Sequence, residues 1–386
     1  MTTALRACRS AALLAALLAA PAAAGGASIL RVGPGEAFAT IAEAARQARS
    51  GDTVLIAAGE YRGDVAVWTQ ARLDIRATGS GAVLLADGRS AEGKAIWVVR
   101  GGDIRIDNIE FRGARVADGN GAGIRFERGR LTVHNCRFID NQNGILTAND
   151  ANAELIIRDS VFGPAIAQDT PLPHLLYVGR IASLDVRGSH FRDGHRGHLI
   201  KSRARTSTIR YNLIADGPEG QASYAIDLPN GGRAEVVGNI IAQNERSANP
   251  ALIAFGAEGQ PWPHSHLLLA HNTLLGGRPL GAWLLRVWEE RLPADSSTTL
   301  LNNLAVGSAL YAVPPGTRSA GNAQVPATAF DLGTLQLDPR HLPRQMRPAP
   351  AAGDPSRPTA AFVPPAGRRT LPADAPLPPG AVQVTP

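Results

Sequence analysis

Side chains that can move a proton or hold an anion are concentrated between His174 and Glu258 of this 386-residue chain. Lysine, tyrosine and neutral histidine can each accept a proton, and tyrosine can also return one to a leaving oxygen. Arginine can hold a carboxylate through two parallel hydrogen bonds. Brought together by the fold, these groups could remove a proton from a carbon atom next to a carboxylate.

The candidate residues fall into two groups. The candidates for proton transfer are Lys201, His198, Tyr177 and Tyr224. The candidates for binding a negatively charged substrate are Arg203, His174, Asp227, Asn230, Arg125 and Glu258. Taken singly, each is more often structural, since a Lys beside an Asp is also an ordinary cross-strand ion pair.

No spacing of residues matches a recognised metal site, so we assign no metal ligand. Asp169, Asp193 and Asp216 lie in predicted loops near the candidates and could supply oxygen ligands, which leaves calcium open as a cofactor. Scattered loop aspartates more often stabilise turns.

A short pattern that recurs eight times predicts the elements that position these residues. In each copy apolar residues alternate with other residues, and an Asn or a substitute follows. The copies are 104–108, 131–135, 155–159, 184–188, 208–212, 235–239, 268–272 and 299–303. They begin 24 to 33 residues apart, with another apolar stretch between neighbours, so each coil should hold at least two strands. The pattern predicts an all-β solenoid of parallel coils, with the Asn residues forming a structural ladder at one corner.

Aligning the second strand of each coil shows which residues point outward. The inward row is Ile124, Ile145, Leu176, Ile200, Ile226, Ile253 and Leu285. Because side chains alternate across a strand, the row between them should face solvent: Arg125, Leu146, Tyr177, Lys201, Asp227, Ala254 and Arg286. Neighbouring strands lie about 4.8 Å apart. Tyr177, Lys201 and Asp227 should therefore project side by side from three consecutive coils.

The segment before the first coil indicates how the solenoid begins. Residues 37–45 have the pattern of an amphipathic helix, and a Gly-Asp-Thr-Val strand follows at 51–54. This arrangement resembles the amino-terminal cap of pectin-lyase-like right-handed parallel β-helix proteins. The resemblance implies a single right-handed β-helix whose open end is covered by the helix.

A second resemblance involves about one coil. Residues 197–203, Gly-His-Leu-Ile-Lys-Ser-Arg, resemble a strand of the chondroitinase B and alginate lyase family, in which a Lys-Ser pair supplies the catalytic lysine. The resemblance implies that Lys201 removes the proton from carbon 5 of a uronic acid. The family's Arg-His-Gly on the following coil is absent here, where Asp227 stands instead, and its calcium-binding acidic cluster is not evident.

We therefore expect a polysaccharide lyase that cleaves an acidic, uronic-acid-containing polysaccharide by β-elimination. One alternative is a glycoside hydrolase, which needs a pair of carboxylates, here Asp227 and Glu258. The other is a non-catalytic carbohydrate-binding or surface solenoid, for which Trp262, Trp283 and Trp288 would offer aromatic contacts.

The amino terminus predicts export. Arg6 and Arg9 precede an apolar run at 11–20, and small residues follow, which is typical of a signal peptide that ends after Ala24. The mature protein should be periplasmic or secreted, and no later segment has the roughly 18 apolar residues of a membrane span.

Charge and composition define the remaining expectations. The net charge of +6 falls to +4 when Arg6 and Arg9 leave with the signal peptide, too small an excess for a nucleic-acid binder. We expect a monomer whose β-helix domain spans residues 25–340. Residues 341–386, rich in Pro, Ala and Arg, should form a disordered or loosely docked tail.

Overall fold

The computed structural model describes residues 26–169, 171–278, 282–341, 351, 353–373 and 377–381. The expected signal peptide, residues 1–24, lies outside the described residues. Within them, no helix is both long enough and apolar enough to cross a membrane.

Three parallel sheets form the solenoid in the described part of the chain. Sheet A has twelve strands: Ile29–Val32, Thr53–Ile56, Arg72–Ala77, Asp103–Asp107, Arg130–His134, Glu154–Arg158, Ser183–Arg187, Thr206–Arg210, Arg233–Val237, His266–Ala270, Ser297–Leu301 and Arg318–Ala320. Sheet B has eleven: Gly59–Arg62, Ala82–Leu85, Ile109–Arg112, Arg137–Ile139, Val161–Phe162, His190–Phe191, Leu213–Ala215, Ile240–Ala242, Thr273–Leu275, Leu304–Val306 and Ala323–Val325. Sheet C has ten: Ala66–Trp68, Ala95–Val99, Ala122–Phe126, Asn143–Thr147, His174–Val178, Ile200–Ser202, Ile226–Leu228, Ala251–Phe255, Trp283–Val287 and Leu310–Ala312.

Each full coil passes through sheets A, B and C in that order before it returns to sheet A. The eight copies of the sequence pattern all lie on sheet A, and the second predicted strand of each coil lies on sheet C. Sheet B follows the Asn corner with strands of two to four residues. The predicted right-handed parallel β-helix is confirmed, with three strands per coil.

The core lies inside the three sheets, where alternate side chains point inward. The inward row predicted for sheet C is fully buried, from Ile124 to Leu285. On sheet B, Phe111, Phe138, Phe162 and Phe191 occupy equivalent positions of successive coils. Their rings stack with centroid separations of 5.1, 4.6 and 4.6 Å. This aromatic stack adds to the stabilisation from apolar burial in the central coils.

The corner between sheets A and B holds two rows of residues rather than one. Asn108 and Asn135 adopt the left-handed conformation, with φ of 62° and 50°. The row that starts one residue later forms the ladder, in which the backbone N–H of each member donates to the side chain of the next. Its acceptors are Ser160, Ser189, Asn212, Asn239, Asn272, Asn303 and Asn322. The predicted Asn ladder is therefore present, but the eight copies occupy two different registers.

The amino-terminal helix begins later than the sequence predicts, spanning Ile41–Gln47 rather than starting at residue 37. Thr40 caps it, and the Thr40 hydroxyl and the Glu43 carboxylate form a reciprocal capping box. The Asp64 carboxylate accepts the first two backbone N–H groups of the helix at 2.6 and 2.9 Å. These contacts fix the helix against the first coils.

The remaining elements are short. Two antiparallel strand pairs follow the solenoid, Phe330–Asp331 with Gln336–Leu337 and Ala360–Phe362 with Arg368–Thr370. Short 3-10 helices span Glu289–Arg291, Ala327–Ala329 and Pro339–His341.

The segment expected to be a disordered or loosely docked tail makes specific contacts where the structure describes it. The Arg368 guanidinium pairs with Asp159 at 2.9 Å. The Thr359 N–H donates to the Tyr211 hydroxyl at 3.0 Å. The Ala381 N–H donates to the Thr273 hydroxyl at 3.0 Å. These residues therefore lie along the outside of the coils.

Candidate active site

Tyr177, Lys201 and Asp227 lie side by side on three consecutive strands of sheet C, in the register that the sequence predicts. One part of the prediction is wrong, because Lys201 and Asp227 do not face solvent. Their exposed fractions are 7% and 2%. Residues 256–262, which follow strand Ala251–Phe255 and are called the covering segment below, lie over this row and place Glu258 against Lys201.

Lys201 is held between two carboxylates. Its Nζ lies 3.3 Å from Oδ2 of Asp227 and 2.6 Å from Oε1 of Glu258. Two opposite charges at this range stabilise an ammonium group. Lys201 is therefore arranged as a positive charge beneath the covering segment.

Glu258 connects Lys201 to a second cation. Its other oxygen, Oε2, lies 2.6 Å from Nη2 of Arg203. Burial alone would raise the pKa of Glu258, but the hydrogen bonds from Lys201 and Arg203 outweigh burial and hold it below its ordinary value. The two cations thus form a site for a carboxylate, which Glu258 itself occupies.

Asp227 lies beneath Lys201. Burial raises its pKa to about 6, although the Lys201 charge acts in the opposite direction. Its Oδ2 contacts both Lys201 Nζ and His198 Nε2 at 3.3 Å, and its Oδ1 has no hydrogen-bond partner among the described residues. Asp227 therefore supports Lys201 from below and is scarcely reachable from solvent.

His174, His198 and Tyr224 form a row of rings at the entrance to sheet C, with centroid separations of 5.0 Å. Nδ1 of His174 accepts the His198 N–H at 2.9 Å, and Nδ1 of His198 accepts the Tyr224 N–H at 3.2 Å. A backbone N–H only donates, so each neutral ring carries its proton on Nε2. In His198 that proton points to Asp227 at 3.3 Å, so both ring nitrogens are engaged.

Burial keeps these two histidines neutral. Burial, together with the nearby charges of Lys201 and Arg203, lowers the pKa of His174 to about 3. The pKa of His198 also lies well below its ordinary value, mainly because of burial. Both rings therefore act as neutral acceptors of backbone N–H groups and fix the strand entrances at the edge of the site.

Arg203 connects the remaining polar groups. Its Nε donates to the Tyr177 hydroxyl at 3.2 Å, and its Nη1 donates to Oδ1 of Asn230 at 2.9 Å. Burial would lower the pKa of Arg203, but the hydrogen bonds to Tyr177 and Glu258 raise it overall. Because the Tyr177 oxygen accepts from Arg203 on one side, its other side can exchange a proton with a ligand.

Several contacts hold the covering segment in place. The Asn230 amide donates to the Gly259 carbonyl at 2.6 Å. The Trp262 indole N–H donates to the Arg203 carbonyl at 3.0 Å, and the Arg180 guanidinium lies 4.2 Å from the Trp262 ring centroid. The sequence predicts Trp262 only as an aromatic contact of a binding module, whereas in the structure it supports the covering segment. No periodic pattern in residues 256–262 could have indicated it.

Arg125 lies in the same outward row but two strands beyond Tyr177, with Leu146 between them. Arg125, His174 and Tyr177 line a cavity of about 480 Å³. Of the candidate residues, only Tyr177 and His174 line this cavity together with Arg125.

Among the described residues, no group of three or more His, Cys, Asp or Glu side chains could hold a metal ion. The aspartates considered as calcium ligands have other partners. Asp216 accepts two backbone N–H groups, whereas Asp193 and Asp169 each pair with an arginine. Asp216 therefore stabilises loop backbone, whereas Asp193 and Asp169 form ion pairs.

No protein family model matches the sequence, and no curated protein matches it. Among solved structures, pectate lyase Pel9A is similar over 90% of each chain at 10% identity, with a TM-score of 0.53. The PL6 family alginate lyase AlyGC is similar over 78% of this chain at 16% identity, with a TM-score of 0.52. This chain spans 40% of the length of AlyGC.

At these identities the likeness shows the fold. Both neighbours are parallel β-helix polysaccharide lyases, as the two sequence resemblances imply. The chain therefore has the right-handed parallel β-helix fold of these structures.

Proposed function

We propose that this protein is a polysaccharide lyase that cleaves a uronic-acid-containing polysaccharide by β-elimination. The position of the Glu258 carboxylate carries the proposal. Its two oxygens each lie 2.6 Å from a cationic group, Lys201 Nζ and Arg203 Nη2. A uronate substrate presents the same chemical group to these cations. The lyase fold of the neighbours supports the same class of reaction.

In the proposed reaction, the substrate carboxylate displaces Glu258 from Lys201 and Arg203. The two cations stabilise the negative charge that develops on the carboxylate when the proton leaves carbon 5. The electron pair of that C–H bond forms the double bond between carbons 4 and 5. The bond from carbon 4 to the glycosidic oxygen breaks, and the leaving oxygen takes up a proton.

Tyr177 is placed to carry that proton. Its phenolate form accepts the proton from carbon 5, and the resulting phenol gives the proton to the leaving oxygen. Tyr177 is thereby returned to its starting form, and no second acid is needed. Sequence resemblance gave the role of base to Lys201. Lys201 forms ion pairs with both Asp227 and Glu258, and we therefore assign it to the substrate carboxylate. His198 has no free ring nitrogen for the role.

A glycoside hydrolase fits the same residues less well. Hydrolysis needs two carboxylates that reach the sugar from either side of the bond. Asp227 is 2% exposed and lies beneath Lys201, whereas Glu258 lies above it. The pair therefore does not face a common space for a sugar ring.

The test is incubation of the purified protein with a panel of uronate polymers while the absorbance of unsaturated uronyl products is followed. We expect absorbance to rise with at least one polymer. New reducing ends without that absorbance would indicate hydrolysis. Binding without either product, across the panel, would overturn the lyase and favour a binding module.

A further inference from the structure

We propose that the cavity beside Tyr177 is a second anion-binding subsite, in which Arg125 holds the carboxylate of another acidic sugar of the same polymer. The inference rests on the proposed function, because it takes the Lys201–Arg203 pair as the first carboxylate site. The cavity has a volume of about 480 Å³ and extends along sheet C from Tyr177 to Arg125.

The Arg125 guanidinium has no partner of opposite charge among the described residues. Arg125 is half-buried, and no described carboxylate lies within ion-pair distance of its guanidinium. Its Nε is buried and has no hydrogen-bond partner among the described residues. An unpaired buried donor of a charged group is costly. Because Arg125 lines the cavity, a ligand carboxylate there would pair with its guanidinium in the bidentate geometry that such groups favour.

Two asparagines give the cavity further donors. Oδ1 of Asn143 accepts the His174 N–H at 3.3 Å, and Oδ1 of Asn149 accepts the Arg180 N–H at 2.8 Å. These bonds fix which end of each amide is the oxygen. The NH₂ groups of both asparagines are left as donors, and no described residue accepts a hydrogen bond from them. Such a donor-rich wall suits a ligand covered with oxygen atoms.

One acidic group opposes an anion in this cavity. Asp118 lines its rim, where it is exposed and accepts the Asn120 N–H at 3.0 Å. Its charge is therefore screened by solvent, whereas the Nε of Arg125 is not. The balance of charge at the cavity floor remains positive.

The separation of the two sites selects the length of the ligand. Arg125 lies two strand spacings from Tyr177, which corresponds to about 10 Å along the sheet. The carboxylate of a single sugar is too small to contact Arg203 and Arg125 at the same time. The two sites therefore recognise carboxylates on different sugars of an acidic chain, and a neutral polysaccharide would satisfy neither.

Calorimetric titration with oligogalacturonates and oligomannuronates, from the monomer to the hexamer, tests this subsite. The variant is Arg125→Gln. Its matched control is Arg137→Gln, which removes the same charge from sheet B, where Arg137 pairs with Glu110 at 3.0 Å. We expect the Arg125 variant to lose roughly tenfold in affinity for the longer oligomers and nothing for the monomer. The control should match the wild type.

Three results would overturn the subsite: equal affinities of the Arg125 and Arg137 variants at every length, an equal loss for monomer and hexamer, or no wild-type binding to either series. Thermal unfolding of both variants shows whether the fold is retained. Titration needs no turnover, so the two proposals fail separately. If binding depends on oligomer length through Arg125 but no unsaturated product forms, only the lyase proposal is wrong. If the product forms but Arg125→Gln leaves the affinities unchanged at every length, only the subsite proposal is wrong.

Discussion

Glu258 reaches Lys201 across 57 residues of sequence, and its Oε1 lies 2.6 Å from the lysine Nζ. With Arg203 on its other oxygen, Glu258 occupies the position at which we propose a substrate carboxylate binds. An internal carboxylate at this position competes with the substrate for the same two cations.

Removing that competitor should strengthen binding. Glu258→Gln keeps the shape of the side chain and removes its charge, so an acidic oligosaccharide no longer has to displace a carboxylate. We expect its dissociation constant to fall about tenfold by titration at low salt. Glu290→Gln, at an exposed glutamate, is the control. Unchanged or weaker binding would show that Glu258 does not occupy the substrate position.

Removing the Tyr177 hydroxyl should stop the reaction without stopping binding. Tyr177→Phe keeps the ring, and we expect product formation to fall by about 10² to 10⁴ while oligosaccharide affinity stays within twofold. Tyr224→Phe is the control on the neighbouring row of rings. If Lys201→Gln abolishes turnover and Tyr177→Phe does not, the base is Lys201, as the sequence resemblance implies.

Burial of neutral His174 should make the fold sensitive to acid. The unfolded side chain binds a proton near its ordinary pKa of 6.5, whereas the folded one does so only near about 3. The unfolded state therefore binds more protons between these values, and stability falls as the pH is lowered through this window. The loss attributable to His174 is up to about 1.4 kcal/mol per pH unit.

The variant His174→Asn tests this, because its side-chain oxygen can still accept the His198 N–H. We expect the free energy of unfolding in denaturant to fall less between pH 7 and pH 5 than in the wild type. His264→Asn, at an exposed histidine, should behave like the wild type. A slope that is the same in all three proteins would contradict the assignment.

The Asn ladder should contribute measurably to stability. Asn239→Ala removes the acceptor of the Asn212 N–H, at 3.0 Å, and leaves that buried donor unsatisfied. We expect the free energy of unfolding to fall by about 2 to 3 kcal/mol in denaturant titrations. Asn152→Ala, in an exposed turn, should change it by less than about 0.5 kcal/mol. A loss no larger than that control would mean that water replaces the ladder bond.

The sequence allows the coils and the register of sheet C to be predicted, because both follow from alternation of side chains. Tyr177, Lys201 and Asp227 are neighbours for that reason. Sheet B could not be predicted, because strands as short as Val161–Phe162 are too short to show alternation of inward and outward side chains. The ladder was placed one residue off in some coils, because Asn suits both the left-handed corner and the position after it.

The surroundings of the site could not be predicted. Alternation shows that Lys201 points out of the coil, but it does not show what lies above it. The covering segment owes its position to contacts such as Trp262 with the Arg203 carbonyl, which join residues 59 apart. Such contacts depend on the path of one irregular loop, for which the sequence contains no periodic signal.

The carboxy-terminal segment changes how the coils depend on one another. In a solenoid each coil touches only its neighbours, so the array can open from either end one coil at a time. Here Arg368, Thr359 and Ala381 bind Asp159, Tyr211 and Thr273, which lie on three coils, each two coils from the next. Separating any of these coils from the stack would also break its contact with the carboxy-terminal segment. We therefore expect the central coils, which carry the candidate site, to unfold together rather than one at a time.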